Sequence, residues 1–153
     1  MNRLNAVDDR EFIFGAVLMI ANKMDTLLDR SLSKYNITSK QWFLLLTLFN
    51  LFDNPPTISE VAKEIASSHQ NVKQVALKLQ EKGLIKLKKD RSDSRATRLV
   101  IAEASYKFWR DSAEDGRKFM DEFYDELSNE HITQARLFIS KLILNLNNID
   151  RKD

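Results

Sequence analysis

The sequence predicts a mainly α-helical fold with one small β-hairpin. Apolar residues recur every three or four positions over most of the chain, which is the spacing of amphipathic helices. Only after Gly83 does this spacing change to two, which is typical of strands. The chain has only three Gly among 153 residues, which disfavours a β-sandwich or a Gly-rich phosphate loop. This length fits one domain, or a small domain with an attached assembly module.

Two helices are predicted before the first proline. Residues 8–33 carry apolar side chains at helical spacing and form a long amphipathic helix. Thr38 or Ser39 is suited to cap a second helix that runs to Phe52. That helix is apolar on nearly every side, so we expect it to be buried on several faces. It ends before Pro55–Pro56, because proline cannot donate the next helical hydrogen bond.

The middle of the chain has the pattern of a helix-turn-helix. Thr57 and Glu60 form a capping box at the start of a short helix. Ser68 is a cap for a second helix over 69–82, whose leading end is polar. Gly83 follows, where a left-handed residue is needed to end that helix. A short helix, a tight turn and a second helix with a polar start are typical of a DNA-binding helix-turn-helix.

A basic hairpin follows, and then the chain returns to helix. Strands are predicted over 85–88 and 98–101, on either side of a charged tip at 89–95. A helix-turn-helix followed by such a hairpin is a winged helix. The apolar spacing then predicts two more helices, at 102–127 and 132–147.

The charge distribution points to a polyanionic partner. The net charge is only +2, but residues 57–100 contain ten Lys and Arg against five Asp and Glu. The remainder of the chain is therefore acidic. A basic middle between acidic ends indicates that the middle meets a polyanion while the ends serve another purpose.

The composition also excludes several classes of protein. With no Cys, the chain has no disulfide framework, thiolate metal cage or thiol redox switch. No apolar run approaches the ~18 to 20 residues that span a bilayer, and the N-terminus lacks the pattern of a signal peptide. We therefore expect a cytoplasmic protein with no membrane partner.

Several adjoining segments resemble the MarR family of bacterial transcriptional regulators. They are ISEVAKEI at 58–65, SHQNVKQV at 68–75, LQEKGLI at 79–85 and the hairpin tip DRSDSRATR at 90–98. The tip is similar to the family's Asp-x-Arg wing signature at Asp93 and Arg95. The resemblance covers essentially the whole chain. One departure lies at 101–105, where IAEAS stands in place of the family's Leu-Thr-x-x-Gly, so the Thr expected to cap the next helix is missing.

The resemblance implies a homodimeric DNA-binding regulator that is usually a repressor. Residues 1–36 and 102–153 would form a helical dimerisation region, and 37–101 the winged helix-turn-helix. The expected partners are a second copy of the chain and a pseudo-palindromic DNA duplex. In relatives, a small aromatic or apolar effector changes the spacing of the two DNA-binding lobes. The absence of Cys excludes the family's peroxide-sensing thiol subgroup.

The polar face of the second short helix is the candidate base-recognising surface. Side-chain amides suit adenine, whose N6/N7 edge pairs with an amide in the major groove, and lysines suit phosphates, which fix register. His69 is expected on a phosphate or a base, and Lys73 and Lys78 on phosphates. The alternative is a solvated polar face. The candidates are Ser68, His69, Gln70, Asn71, Lys73, Gln74 and Lys78.

The hairpin tip is the second candidate DNA contact. We predict that Arg95 enters the minor groove, where the negative potential is strongest, and that Arg91 and Lys89 meet nearby phosphates. Asp93 would repel phosphate, so it is expected to hold Arg95 or another wing cation by a charge-assisted hydrogen bond. An ordinary solvated hairpin tip is the alternative.

A third set of residues is a candidate effector pocket, and His131 is a candidate metal ligand. Aromatic residues at helical spacing are more often core residues, which is the alternative interpretation of the pocket. His131 lies near several acidic residues, but its spacing matches no established ligand motif. No metal or cofactor is therefore expected. The pocket candidates are Phe12, Trp42, Phe43, Tyr106 and Trp109.

Two rival functions remain open at this point. One is a winged helix used for protein assembly or for non-specific DNA coating, which predicts no preferred sequence. The other is a ligand-binding or catalytic helical protein with an incidental basic hairpin. The chain has no nucleophile elbow, P-loop, HExxH or dinucleotide fingerprint, so we do not expect an enzyme.

Overall fold

The fold is mainly helical with a two-stranded antiparallel hairpin, as predicted. The computed structural model describes residues 7–150, so the ends of the predicted dimerisation region at 1–6 and 151–153 lie outside it. The described chain divides after Ser112 into two compact units. In chain order the elements are α1 (Asp9–Leu32), a 3₁₀ turn (Ser33–Tyr35), α2 (Ser39–Asn50), α3 (Ile58–Glu64), α4 (His69–Glu81), β1 (Ile85–Lys89), β2 (Thr97–Ile101), α5 (Glu103–Phe123) and α6 (Asn129–Asp150).

The predicted helix caps of the first unit are present. The Thr38 side chain accepts the backbone N–H of Gln41 and completes a capping box at the start of α2. A second capping box joins Thr57 and Glu60 at α3. The Ser68 hydroxyl accepts the N–H of Asn71 at the start of α4. Each cap satisfies a backbone donor that the first helical turn leaves without a partner.

Left-handed residues end both helices of the helix-turn-helix. Gly83 has φ +71°, and Leu84 donates its backbone N–H to the Leu79 carbonyl at 2.9 Å, which closes the predicted turn after α4. The turn after α3 is made in the same way by Ala66, at φ +51°. There the N–H of Ser67 bonds to the carbonyl of Ala62 at 2.9 Å. The sequence predicts a tight turn here but does not indicate Ala66 as its left-handed residue, because Ala seldom adopts a positive φ.

The core of the first unit lies beneath the helix-turn-helix and the hairpin. Leu45, Val61, Ala76 and Leu79 are completely buried. On α4, Ala76 and Leu79 lie on the buried face, so the opposite face of this helix is exposed to solvent. The other buried apolar residues of this core are Leu32, Ile37, Leu44, Leu48, Ile58, Ala62, Val72, Leu84, Ile85, Leu99 and Phe108.

The wing is joined to the segment before α3 as well as to itself. Its strands pair antiparallel, with Leu87 opposite Leu99. Leu99 also donates its backbone N–H to the Pro56 carbonyl at 2.8 Å, and an isolated bridge joins Thr57 to Arg98. The hairpin is therefore held at the start of α3 by backbone hydrogen bonds.

The start of α5 is stabilised by a serine that the sequence did not identify as a cap. Ser105 is completely buried, and its hydroxyl donates to the Leu84 carbonyl at 2.6 Å. The backbone N–H of Ala102 donates to the same carbonyl at 3.0 Å. These two bonds join the end of the wing to the end of the helix-turn-helix without the missing Thr.

The predicted bounds of the last two helices were wrong by three or four residues. Helix α5 ends at Phe123 rather than at 127, because Glu126 adopts φ +61°, which a right-handed helix cannot contain. Helix α6 begins at Asn129 rather than at 132 and continues to Asp150. Its start is explained by Ser128, whose hydroxyl accepts the N–H of His131 at 3.2 Å.

Candidate nucleic-acid interface

The predicted base-recognising residues share one exposed face of α4. The opposite face is buried through Val72, Ala76 and Leu79, which are fixed in the core. The helix is therefore held rigidly while its polar side chains remain available for a partner. The exposed residues are Ser68, His69, Gln70, Asn71, Lys73, Gln74 and Lys78.

Two of these residues already have intramolecular partners. The Ser68 oxygen accepts the N–H of Asn71 at 3.1 Å, so its first role is to start the helix. The Lys78 ammonium lies 3.1 Å from the Glu81 carboxylate, one turn along α4. Both side chains of this pair are more than half exposed, so the pair contributes little to stability. Lys78 can exchange this partner for a phosphate.

The wing tip carries the four predicted charged residues in solvent, namely Lys89, Arg91, Asp93 and Arg95. The Asp93 carboxylate accepts both the backbone N–H of Arg95, at 3.0 Å, and its Nε, at 3.3 Å. The Arg95 side chain is 91% exposed, so its guanidinium is held at its base and projects from the tip. This is the contact that the sequence led us to expect for Asp93.

Two further charged residues under the tip were missed as site residues. Asp90 lies at the end of β1 and pairs with Arg98 of β2. Hydrogen bonds from Ser92, from the Asp93 backbone and from Arg98 hold the pKa of Asp90 well below its usual range. Asp followed two residues later by Ser favours an Asx turn, and this was the available local signal.

Lys82, a cation of the basic stretch at 57–100, has a structural role. The Lys82 ammonium contacts the Asn36 carbonyl and lies 2.7 Å from the Gln41 amide oxygen. Gln41 is itself buried. Lys82 therefore joins the end of α4 to the start of α2, and the net charge of residues 57–100 overstates what a polyanion can reach.

The five pocket candidates do not form a single cluster. Trp42 and Trp109 pack edge to face at 6.2 Å and lie partly buried against the core, so these two behave as core residues. Tyr106 packs on Phe49 at 5.2 Å, and Phe49 packs in turn on Trp109 at 5.7 Å, so Phe49 connects Tyr106 to the two tryptophans. Phe12 is exposed on α1.

Helix α2 is buried on several faces, as predicted, but Phe43 is 48% exposed. The reason is that α2 packs on the core through Leu44, Leu45 and Leu48, which leaves the Phe43 side of the helix outside. Phe43 lines a cavity of about 390 Å³ that also touches Asn71 and Gln74 of α4. The Trp109 Nε1 is buried without an acceptor among residues 7–150.

Metal-binding clusters and membrane spans are both absent from the described part of the chain. Within residues 7–150, no group of three or more His, Asp or Glu side chains could hold a metal ion. His131 is engaged at the start of α6, where its Nδ1 accepts the Ser128 N–H at 3.4 Å. Among these residues, no helix is long and apolar enough to cross a membrane.

The architecture is similar to that of several solved proteins, although no protein-family model matches the chain. A MarR transcriptional regulator from Methanosarcina mazei superimposes with a TM-score of 0.82 at 16% identity, covering 91% of this chain and 99% of the other. A MarR protein from Peptoclostridium difficile gives 0.78 at 15% identity, covering 89% and 88%. The S. aureus MepR–DNA complex gives 0.74 at 21% identity, covering 92% and 99%.

The chain has the MarR fold. The resemblance inferred from short motifs is thus confirmed at the level of architecture, over nearly the full length of the solved structures. Within this MarR fold, α3 and α4 form the helix-turn-helix and β1 with β2 forms the wing. The exposed face of α4 and the charged wing tip are the two surfaces available to a binding partner.

Proposed function

We propose that this chain is a sequence-specific DNA-binding transcriptional regulator that acts as a homodimer. The observation that carries the proposal is the polar face of α4, which is exposed over its whole length above three buried apolar residues. A rigid helix with amides and lysines on its free side has the dimensions and chemistry of a major-groove ligand. One structural neighbour, S. aureus MepR, has its structure in complex with DNA, and this similarity supports the same function.

We assign the contacts by side-chain chemistry. Gln70, Asn71 and Gln74 carry amides, which donate to and accept from the adenine edge. His69 at the start of α4 adds a base or phosphate contact. Lysines along α4 and the cations of the wing bind phosphates and fix the register of the helix. Arg95 differs from them, because its side chain is 91% exposed at the wing tip, where its guanidinium can enter the minor groove.

The unsatisfied apolar surface of α6 supports the homodimer. None of the described residues of this 22-residue helix is buried, although it is rich in Leu and Ile. Exposed apolar surface on this scale marks an interface in a stable protein. Residues 1–36 and 102–153 are the proposed dimerisation region, with 37–101 as the DNA-binding part. The most exposed apolar side chains of α6 are Leu137, Ile139, Ile143, Leu144, Leu146 and Ile149.

Repression, released by a small aromatic or apolar effector, completes the proposal. The family resemblance supports this regulatory form. The cavity beside the half-exposed Phe43 supports it too, because an occupant would touch Asn71 and Gln74. A molecule there would compete with the bases that those amides are proposed to bind.

Selection of bound duplexes from a random DNA library tests this function, with wild type and Gln70→Ala compared at near-physiological salt. Wild type should enrich a pseudo-palindromic operator whose half-sites lie roughly 34–36 Å apart. Gln70→Ala should enrich the same palindrome with one position in each half-site relaxed, a loss of about 1–3 kcal/mol of discrimination per contact.

Lys73→Ala is the matched control, since it removes a proposed phosphate contact from the same face of α4. Its preferred sequence should be unchanged, with weaker binding to all duplexes and a salt slope reduced by about two, one for each copy in the dimer. Equal loss on every duplex for Gln70→Ala would contradict the base-recognition role. Unrelated selected sequences whose binding collapses with salt would favour the coating or assembly alternative.

A further inference from the structure

The wing tip is organised around the carboxylate of Asp90. One of its oxygens accepts the backbone N–H groups of Ser92 and Asp93, each at 2.9 Å, and the Ser92 hydroxyl at 2.6 Å. The backbone N–H of Asp90 itself donates to the Ala96 carbonyl at 3.0 Å. Asp90 thus fixes the backbone from which Asp93 and Arg95 project.

The second carboxylate oxygen of Asp90 is bound by Arg98, which connects the tip to the helix-turn-helix. The Arg98 Nε donates to Asp90, and its Nη1 donates to the Pro55 carbonyl at 2.6 Å. The same Nη1 lies 3.9 Å from the carboxylate of Glu60. Glu60 in turn accepts the Thr57 N–H at 2.6 Å and so completes the capping box of α3.

We propose that Asp90 and Arg98 form a clamp that holds the wing at one orientation relative to the helix-turn-helix, so that Arg95 is already aimed at the minor groove before DNA binds. We call the Asp90–Arg98 pair, with its contacts to Pro55 and Glu60, the wing clamp. This inference rests on the proposed DNA binding. Both residues are positioning residues, since they act on DNA through Arg95.

Exposure distinguishes the clamp from a direct DNA contact. The Arg98 side chain is 37% exposed and the Asp90 side chain 7%, whereas Arg95 is 91% exposed. The planar guanidinium of Arg98 binds two groups at once in a fixed geometry, which the single ammonium of a lysine does not reproduce. A pre-ordered tip lowers the entropy that binding would otherwise cost.

The test compares the DNA affinity of Asp90→Asn with that of wild type, on the selected operator and at constant salt. Asp90→Asn removes a negative charge from a basic surface, so electrostatics alone predicts tighter binding. The clamp predicts the opposite, a loss of about tenfold. In the Arg95→Ala background the same substitution should change affinity by no more than about twofold, because the residue it positions is gone.

Glu64→Gln is the matched control, since Glu64 is an exposed carboxylate on α3 outside the clamp. It should bind DNA as tightly as wild type or slightly more tightly. An equal or tighter affinity for Asp90→Asn would overturn the clamp. So would a loss that persists in full in the Arg95→Ala background.

A second variant and a measurement without DNA keep the clamp separate from the proposed function. Arg98→Lys retains the charge but loses the fork, so it should reproduce the effect of Asp90→Asn. In free protein, both variants should speed amide hydrogen exchange over residues 90–96, while Glu64→Gln should not. Unchanged exchange would overturn the clamp. Failure of wild type to prefer any duplex, with exchange altered as expected, would overturn the proposed function alone.

Discussion

Replacing Ile139 and Leu146 together by Asp should convert the protein to a monomer that binds its operator about 10²–10⁴-fold more weakly. The two side chains are 51% and 63% exposed and lie seven residues apart on one face of α6. In the proposed dimer they meet a second copy, where an unpaired carboxylate costs several kcal/mol. A monomer binds only one half-site, so it loses the gain in affinity that a dimer obtains by binding both half-sites at once. Sedimentation and operator titration measure the two effects.

Asn145→Asp with Asn148→Asp is the matched control for this pair. It adds the same charges, three residues apart, on the exposed side of α6 that faces away from Ile139 and Leu146. This control should remain a dimer with unchanged affinity. If Ile139→Asp with Leu146→Asp also sediments as a dimer, the proposed role of α6 is wrong. Thermal unfolding should confirm that residues 7–112 remain folded in both variants.

Arg95→Ala should weaken operator binding by about 1–3 kcal/mol for each wing, or about 2–6 kcal/mol for the dimer. The Arg95 side chain is 91% exposed at the tip, so its removal costs the free protein no packing. The loss should be greatest on operators with A·T-rich segments where the wing lies, because a narrow minor groove has the strongest negative potential. Fluorescence anisotropy on operators that differ only in these segments measures it.

Arg91→Ala is the comparison for Arg95→Ala, since Arg91 is an exposed cation of the same tip. As a phosphate contact in both copies, Arg91 should affect A·T-rich and G·C-rich segments equally, and its removal should lower the salt slope by about two, one for each wing. The same uniform loss for Arg95→Ala would show that Arg95 also binds only phosphate. Its assignment to the minor groove would then be withdrawn.

Local signals predicted much of the helix-turn-helix. Thr57 with Glu60, Ser68 and Gly83 each act on backbone groups a few residues away, so the sequence contains the whole interaction. The spacing of apolar residues along α4 likewise predicted which of its residues are buried. The exposed face of α4 therefore follows from the amino-acid sequence alone.

Where the prediction failed, the cause was an unusual residue at a familiar position. Glu126 adopts a positive φ after α5, a conformation that Gly or Asn would have indicated, so the end of that helix was placed too late. Ala66 adopts a positive φ too, but the turn that contains it was predicted. At the start of α6, His131 stands where a capping box usually has Glu or Gln. The exposure of Phe43 could not be predicted from the sequence, because it depends on which face of α2 meets the core.

The wing clamp was beyond local pattern recognition. Arg98 contacts Asp90, which lies eight residues away, and Pro55, which lies 43 residues away. Periodicity identifies neither contact, because both depend on the register of β1 and β2. The sequence could identify a cluster of charges at the tip, but not which cation organises it and which is left for DNA.

The central claim, that two copies place two α4 helices in successive major grooves, is tested most directly by changing the spacing of the operator. Five base pairs inserted between the half-sites turn one half-site by about half a helical turn. We expect affinity to fall to that of a single half-site. Ten inserted base pairs restore the original face of the duplex but move the second half-site roughly 34 Å farther away, beyond the reach of the dimer, so affinity should stay at the level of a single half-site. Equal affinity at all three spacings would contradict the claim, because it would mean that each copy binds its half-site independently.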